Sequence, residues 1–194
     1  MKGLDEATKA TLQNVAYDEN EERSASFLAK DWDILDVHSA VEGLEVLPIE
    51  TALQKYEWLK ALLFTLVEKE KDEYVIEVAS SDVMLGYFIR IKAGVKITLP
   101  VYTCYMINSD QFTQCTHNII IAEEDSELHL INGCTTNAHV ASGRHLGVTE
   151  YFVKEGATLT STMIHSWGKE VEVYPRSAAH VGRNAKFISN YVAM

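Results

Sequence analysis

The chain has no apolar run long enough to span a bilayer. Its longest obvious one, "ALLFTLV", is only a fraction of the roughly 20 residues a spanning helix needs. The opening "MKGLDEATKATL" lacks the apolar core of a secretory signal, so a secreted product is not expected. Cysteine is scarce. Cys104, Cys115 and Cys134 are odd in number and none is closely spaced with another, which excludes a disulfide framework and fits a reducing cytoplasm. Positive charge is also short. With 17 Lys and Arg against 28 Asp and Glu, the formal net charge is −11, which argues against nucleic acid and anionic membrane as partners. No P-loop, GxGxxG, GxSxG, HExxH or CxxC is present, so the common nucleotide, hydrolase, metalloprotease and zinc-ribbon signatures are absent.

What is present is a globular composition. Of the 194 residues, 47% are hydrophobic and 23% charged, enough to bury a sizeable core in one domain with an appendage. The first third reads as helical. Leu4, Thr8, Thr11, Leu12 and Val15 lie roughly on one helical face, and the polar "YDENEERSAS" ends that pattern. After Pro48, an apolar stripe of Leu53, Tyr56, Leu59, Leu63, Leu66 and Val67 predicts an amphipathic helix. Pro48 and Glu50 suit its start, and Lys69 and Lys71 its end.

The cluster "EKEKDE" marks a change of regime. From Tyr74 onward "YVIEVA", "GYFIRI", "VKITLP", "HNIIIA", "ELHLIN", "TEYFV" and "KFISNYV" all read as strands. This gives a helical N-terminal region over residues 1–72 and a β region over residues 73–194.

The β region repeats. "AGVKITLPV", "EDSELHLIN", "EGATLTSTM" and "RNAKFISNY" each place a turn-forming pair before an alternating strand. Aligning Val95, Ser126, Ala157 and Ala185 gives spacings of 31, 31 and 28. Such a period points to a solenoid, here a β-helix with one or two coils per period. Ile97, Leu128, Leu159 and Phe187 then stack inward as an apolar ladder. A β-sandwich is the competing architecture, but it demands no repeating turn register.

The candidate chemistry is a loose Cys/His set: Cys104, Cys115, His117, His129, Cys134, His139, His145 and His165. Thiolate and imidazole suit zinc, iron and iron–sulfur centres. Cys115, His117, Cys134 and His145 are the candidate metal ligands. Each cysteine taken alone also fits a buried small residue. Cys134 follows Gly133 at the end of an alternating strand, which places it on an accessible turn. Arg144 and His145 on the same polar excursion would supply positive charge to lower its pKa.

Several segments resemble the SufB/SufD family of iron–sulfur cluster assembly proteins. These are "GVKITLPV", "NIIIAEEDSELHLINGCTT", "RHLGVTEYFVKEGATLTSTMIHSW" and "RNAKF", with "ERSASFLAKD" similar to the family's "RSGSF"-type segment. The resemblance implies a right-handed parallel β-helix that works as a scaffold, without classical turnover, beside a SufC-like ABC-type ATPase. It implies a SufB/SufD-like partner subunit, a cysteine desulfurase or sulfur carrier as donor, and a transient iron–sulfur cluster. Cys134 matches the cysteine of the family's "EGC" turn, an entry point for persulfide sulfur, with Asn132 where SufB chains carry glutamate. His145, Trp167 (after a single-residue shift) and Arg176 match positions along an interior sulfur path. Family chains continue through further coils and a helical C-terminal part that carries a cluster-ligating cysteine and glutamate, so a shortened chain is expected to lack those ligands and to self-associate through its open end or have a partner cover it. The competing function is a non-catalytic β-helix interaction module with buried cysteines.

Overall fold

The computed structural model describes residues 4–18 and 20–194, so the first three residues of the expected helical region lie outside it. Its β region is a parallel solenoid of about three turns. Strands alternate between two facing sheets along the chain. One sheet takes β5 (Val101–Ile107), β7 (Glu127–Thr136), β9 (Thr158–Ser166) and β11 (Lys186–Ala193). The other takes β4 (Tyr87–Ile91), β6 (Phe112–Ala122), β8 (Ser142–Val153) and β10 (Glu170–Val181). Each coil therefore contributes one strand to each sheet, and the sequence period corresponds to a single coil.

The expected ladder is in place. Leu128 pairs with Leu159, and Leu159 with Phe187, in parallel register. A bridge between Lys96 and Glu127 sets Ile97 in line with them. The corners explain why the period is so legible. Gly94, Asp125, Gly156 and Asn184 all have positive φ, between 55° and 73°. Glycine, Asp and Asn are the residues that tolerate this left-handed region. Successive corners also bond to one another: Gly94 N–H donates to Glu124 O, Asp125 N–H to Glu155 O, and Gly156 N–H to Arg183 O. The backbone ladder thus continues around the bend.

The aliphatic core lies between the sheets, where Ile89, Ile91, Val101, Ile120, Ala122, Leu128, Leu130, Val153 and Leu159 interdigitate. Both outer faces are covered as well. Helix α1 (Glu6–Gln13) and the residues after it set Leu12, Val15 and Tyr17 on Tyr102, Cys104 and Met106. Helices α2 (Ile49–Lys55) and α3 (Glu73–Ala79), with a 3₁₀ turn at Glu57–Leu62, cover the other sheet.

Residues 1–72 are less helical than their sequence suggests. They contain β1 (Ala25–Lys30), β2 (Asp33–Ser39) and β3 (Leu44–Pro48). Strand β1 pairs parallel with β5 and antiparallel with β2, and β3 pairs antiparallel with β4, so the solenoid sheets extend into this segment. Strand β1 shows no alternation because Phe27 packs inward and Leu28 outward, and both are buried. The stripe from Leu53 to Val67 is not one helix. It divides into α2, the 3₁₀ turn and an irregular strap over residues 63–67. "YVIEVA", expected as a strand, is α3. The Asp72 carboxylate caps its N-terminus by accepting from Tyr74 and Val75 N–H, and this cap outweighs the β-branched composition. Among the described residues no helix is long and apolar enough to cross a membrane.

Candidate functional site

The solenoid interior changes character along its strands. Inward residues of β7 run Leu128, Leu130, Asn132, Cys134, and those of β6 run Ala122, Ile120, Asn118, Thr116, Gln114. On β8 the order is Val153, Tyr151, Thr149, Gly147, His145. One half of the interior is aliphatic and the other polar.

Two asparagines mark the boundary. Asn132 Oδ1 accepts from Tyr87 OH at 2.6 Å and Thr103 Oγ1 at 2.8 Å, while Asn132 Nδ2 donates to Ser161 Oγ at 3.1 Å. Asn118 Oδ1 accepts from Tyr105 OH at 2.5 Å and Tyr87 N–H at 3.1 Å, and its Nδ2 donates to Thr149 Oγ1 at 3.2 Å. These bonds satisfy groups that would otherwise be costly to bury. Beyond them lies a cavity of about 140 Å³ lined by Cys134, His145, His165, Gly147 and Tyr191 among others.

Cys134 is not on a turn. Strand β7 runs through Thr136, and Cys134 is 3% exposed, with its side chain in the interior cluster. Gly133, which suggested the turn, serves a close approach instead. A Cβ there would lie 2.6 Å from the Val15 carbonyl oxygen, where the end of α1 meets the outer face of β7. Burial pushes the Cys134 thiol up to about 12, offset in part by a backbone hydrogen bond from Tyr105. The thiol is therefore protonated at rest, the reverse of the lowered pKa that the turn placement implied. Arg144, the expected source of positive charge, instead makes a bidentate pair with Glu77 of α3 at 2.9 and 3.0 Å.

His145 does face the Cys134 cavity. Its Nδ1 lies 2.9 Å from Gln114 Oε1, and burial together with nearby His165 pulls its pKa down to about 3. Trp167 packs on both imidazoles, with centroids 5.0 Å from His145 and 5.6 Å from His165. Its buried Nε1 has no hydrogen-bond partner. Arg176 takes a different place. Its guanidinium lies 2.6 Å from Asp72 and over the Tyr74 ring, so it fastens α3, while the residue also contributes to the lining of the Cys134 cavity.

The four candidate metal ligands do not converge. Cys134 and His145 point into the solenoid, whereas Cys115 and His117 alternate to the outer face of β6. Cys115 packs with Val67, Val75 and Leu146, and burial pushes its thiol up to about 11. His117 bonds Glu150 through Nε2 at 2.7 Å and packs at a tilt against Phe64. Among the described residues, no group of three or more His, Cys, Asp or Glu is arranged to hold a metal ion.

His165, which the sequence offered only within the loose Cys/His set, belongs to the site. It pairs in register with Cys134 on the neighbouring strand, on the same inward face. Its Nδ1 lies 2.8 Å from Tyr191 OH, and its buried Nε2 has no partner. Burial lowers its pKa to about 4. Gln114 was missed, and it pairs in register with His145. The signal was available: each pair is 31 residues apart, one coil of the repeat.

Comparison with known proteins agrees with this architecture. Residues 105–194 match the family described as "SUF system FeS cluster assembly, SufBD core domain". An "Iron-sulfur cluster assembly SufBD family protein" of Archaeoglobus fulgidus is 41% identical over 187 residues, covering 96% of this chain and 50% of that protein. One of the same description from Methanothermobacter thermautotrophicus is 39% identical over 195 residues, covering 98% of this chain and 48% of that protein. Over nearly its whole length the chain is similar to proteins described as SufBD family. It spans about half the length of these curated relatives. The SufBD core match begins at Tyr105 and includes Cys134, His145, His165 and Trp167. "Iron-sulfur cluster assembly protein SufB" of Bacillus subtilis matches a shorter part, at 33% identity over 86 residues, or 44% of this chain and 18% of that protein.

Proposed function

We propose that this chain is a scaffold component of iron–sulfur cluster assembly that accepts sulfur on Cys134 inside the solenoid. The observation that carries the reading is one thiol flanked by two uncharged imidazoles in a polar cavity of the SufBD core.

The step is a sulfur exchange. The Cys134 sulfur attacks the outer sulfur of a donor persulfide, R–S–S–H. The donor S–S bond breaks, a new S–S bond forms on Cys134, and R–S⁻ leaves carrying the electron pair. The Cys134 proton ends on the leaving thiolate, so the products are Cys134–S–S–H and R–S–H, with no external oxidant or reductant. Because burial disfavours free thiolate, the proton has to leave as the S–S bond forms, and a neutral imidazole is the group at hand to relay it.

By family resemblance, the donor is a cysteine desulfurase or sulfur carrier, and the assembly includes a SufC-like ATPase and a second SufB/SufD-like subunit. The iron–sulfur cluster is cargo built across such an assembly, and the compartment is the reducing cytoplasm. The chain performs no classical turnover in this reading. The buried, protonated state of Cys134 favours a second reading, a non-catalytic interaction module with structural cysteines.

One experiment separates the two. The protein is incubated with a cysteine desulfurase and radiolabelled cysteine, and protein-bound sulfane sulfur is counted. Cys134→Ser is expected to lose the label. Arg183→Met, altered at an exposed corner outside the cavity, is expected to keep it. Equal labelling of Cys134→Ser and wild type would reject the acceptor role.

A further inference from the structure

The hydrogen-bond chain behind His145 fixes which of its nitrogens carries the proton. Gln114 Nε2 donates to the backbone carbonyl oxygen of Asp31 at 2.9 Å. A carbonyl oxygen only accepts, so the amide orientation is set and Gln114 Oε1 is the atom facing His145 Nδ1 at 2.9 Å. That oxygen also only accepts, so Nδ1 carries the hydrogen. His145 is fully enclosed and uncharged near neutral pH, since burial lowers its pKa to about 3. Its Nε2 is left with a bare lone pair.

That lone pair faces open space. Gly147, two residues along β8, also lines the cavity, and a Cβ at Gly147 would lie 3.2 Å from His145 Nε2. A side chain there would fill the room in front of the imidazole. Cys134 lines the same cavity from the facing sheet. Tyr105 is in register with Cys134, and its ring centroid lies 5.8 Å from that of His145. Among the described residues, the neighbouring buried groups without partners are Thr116 Oγ1, His165 Nε2 and the Trp167 indole N–H.

We propose that His145 Nε2 is a fixed acceptor for the terminal S–H of a hydrodisulfide on Cys134, holding the stored sulfur in its neutral form. This rests on the reading of Cys134 as the sulfur acceptor and adds the atom that positions its cargo. The simplest loading reaction is Cys134–SH with HS–SH giving Cys134–S–SH and hydrogen sulfide, one S–S bond broken and one formed. The product differs from the free thiol in carrying its proton one atom further into the cavity. An imidazole lone pair accepts that proton as a hydrogen bond without either partner becoming charged, which suits an interior where burial disfavours charge. His145 is a positioning residue in this scheme and breaks no bond itself.

Two measurements test it, on the chain as it stands. Nitrogen NMR of isotopically labelled histidine in the unloaded protein reads the tautomer directly. The expected result is Nδ1 protonated and Nε2 bare at neutral pH, and either an Nε2–H tautomer or an imidazolium would overturn the proposal. The protein is then loaded with inorganic polysulfide, and retained sulfur is followed by intact mass. His145→Gln sets an amide oxygen or nitrogen near the Nε2 position but gives up the Gln114 bond, whereas His145→Asn keeps a donor for Gln114 and removes the acceptor. Loss of sulfur is expected to be about tenfold faster in His145→Asn than in wild type, with His145→Gln close to wild type. Wild-type retention in His145→Asn would overturn the proposal. Cys134→Ser serves as the control, since unchanged loading there rejects the acceptor role itself. The tautomer result needs neither loading nor a variant, so it stands if either substitution prevents folding.

Discussion

Glu150 offers the sharpest test of how the strap over residues 63–67 is held to the solenoid. It lies on the outer face of β8 and is 0% exposed. Its carboxylate accepts four hydrogen bonds: from Phe64 N–H at 2.8 Å, Leu66 N–H at 2.6 Å, Val67 N–H at 3.2 Å and His117 Nε2 at 2.7 Å. Phe64 has a φ of 56°, an unfavourable value for a bulky side chain, and its ring lies 4.2 Å from that of His117. The buried carboxylate therefore supports a strained turn together with three backbone donors. Glu150→Ala strands all four donors. Removing one member of a buried charged network costs about 3–5 kcal/mol, and swinging the strap out to water caps the loss near that range. For a chain of this size that lowers the melting temperature by roughly 6–20 °C. Glu150→Gln retains an acceptor oxygen for part of the set but turns its amide N–H groups toward the remaining donors, so about 1–3 kcal/mol is expected. Urea unfolding measures the stability, and limited proteolysis shows whether the chain becomes cleavable at residues 63–67. A Glu150→Ala protein within about 1 kcal/mol of wild type and still resistant to protease would refute the idea that this carboxylate fastens the strap.

The same bonds predict acid sensitivity. Burial alone would raise the Glu150 pKa, but the bonds from His117 and from the Leu66 and Val67 N–H groups outweigh it and hold the carboxyl below its ordinary range. The unfolded chain then binds a proton more readily than the folded one. This contribution is present above the unfolded value near pH 4.3 and lost as pH falls through the folded value. Glu150→Ala should show a flatter stability profile in that window.

His145 and His165 set a second window at higher pH. With pKa values of about 3 and about 4 against roughly 6.5 unfolded, they make stability fall as pH drops below about 6.5, by up to about 3 kcal/mol per pH unit for the pair. Urea midpoints between pH 7 and pH 5 measure the slope, and a His145→Gln, His165→Gln double variant with an unchanged slope would sink the assignment. Gly133→Ala should cost about 1–3 kcal/mol by pushing a Cβ against the Val15 carbonyl, with amide exchange quickening first in α1. An unchanged melt and unchanged exchange would mean that α1 does not need that approach.

The repeat is legible in the sequence because stacking forces equivalence. A left-handed corner every coil admits only Gly, Asp or Asn without strain, and the residue after each corner starts an alternating strand, so Gly94, Asp125, Gly156 and Asn184 carry the register in plain view. The rest is hidden for identifiable reasons. Strand β1 is buried on both faces and so shows no period of two. The α3 segment reads as strand because Tyr74, Val75, Ile76 and Val78 favour sheet, while the deciding group, the Asp72 cap, lies one residue before it. Cys134 reads as a turn residue because Gly133 has the look of a turn glycine, and only the packing of α1 shows that it is a contact glycine inside a strand. The site partners Cys134 with His165 and Gln114 with His145 follow from reading the repeat across strands instead of along them.

The division of the interior argues for what the cavity can hold. A solenoid is stable with aliphatic rungs throughout, and this one has them around Ile120, Leu128, Leu130 and Leu159. Where the rungs turn polar, the groups are amides, hydroxyls, a thiol and imidazoles, each uncharged in place. The buried carboxylate of the region, Glu150, is turned to the opposite side of its sheet and matched to donors there. An enclosed site built from neutral dipoles carries the desolvation cost of polar groups but not that of an isolated charge. It therefore favours a neutral, polarisable guest with one hydrogen to donate over a free sulfide anion or an unligated metal cation. A hydrodisulfide on Cys134 has that character. The imidazole nitrogens His145 Nε2 and His165 Nε2 come from adjacent coils, so the cavity exists only when the solenoid is stacked.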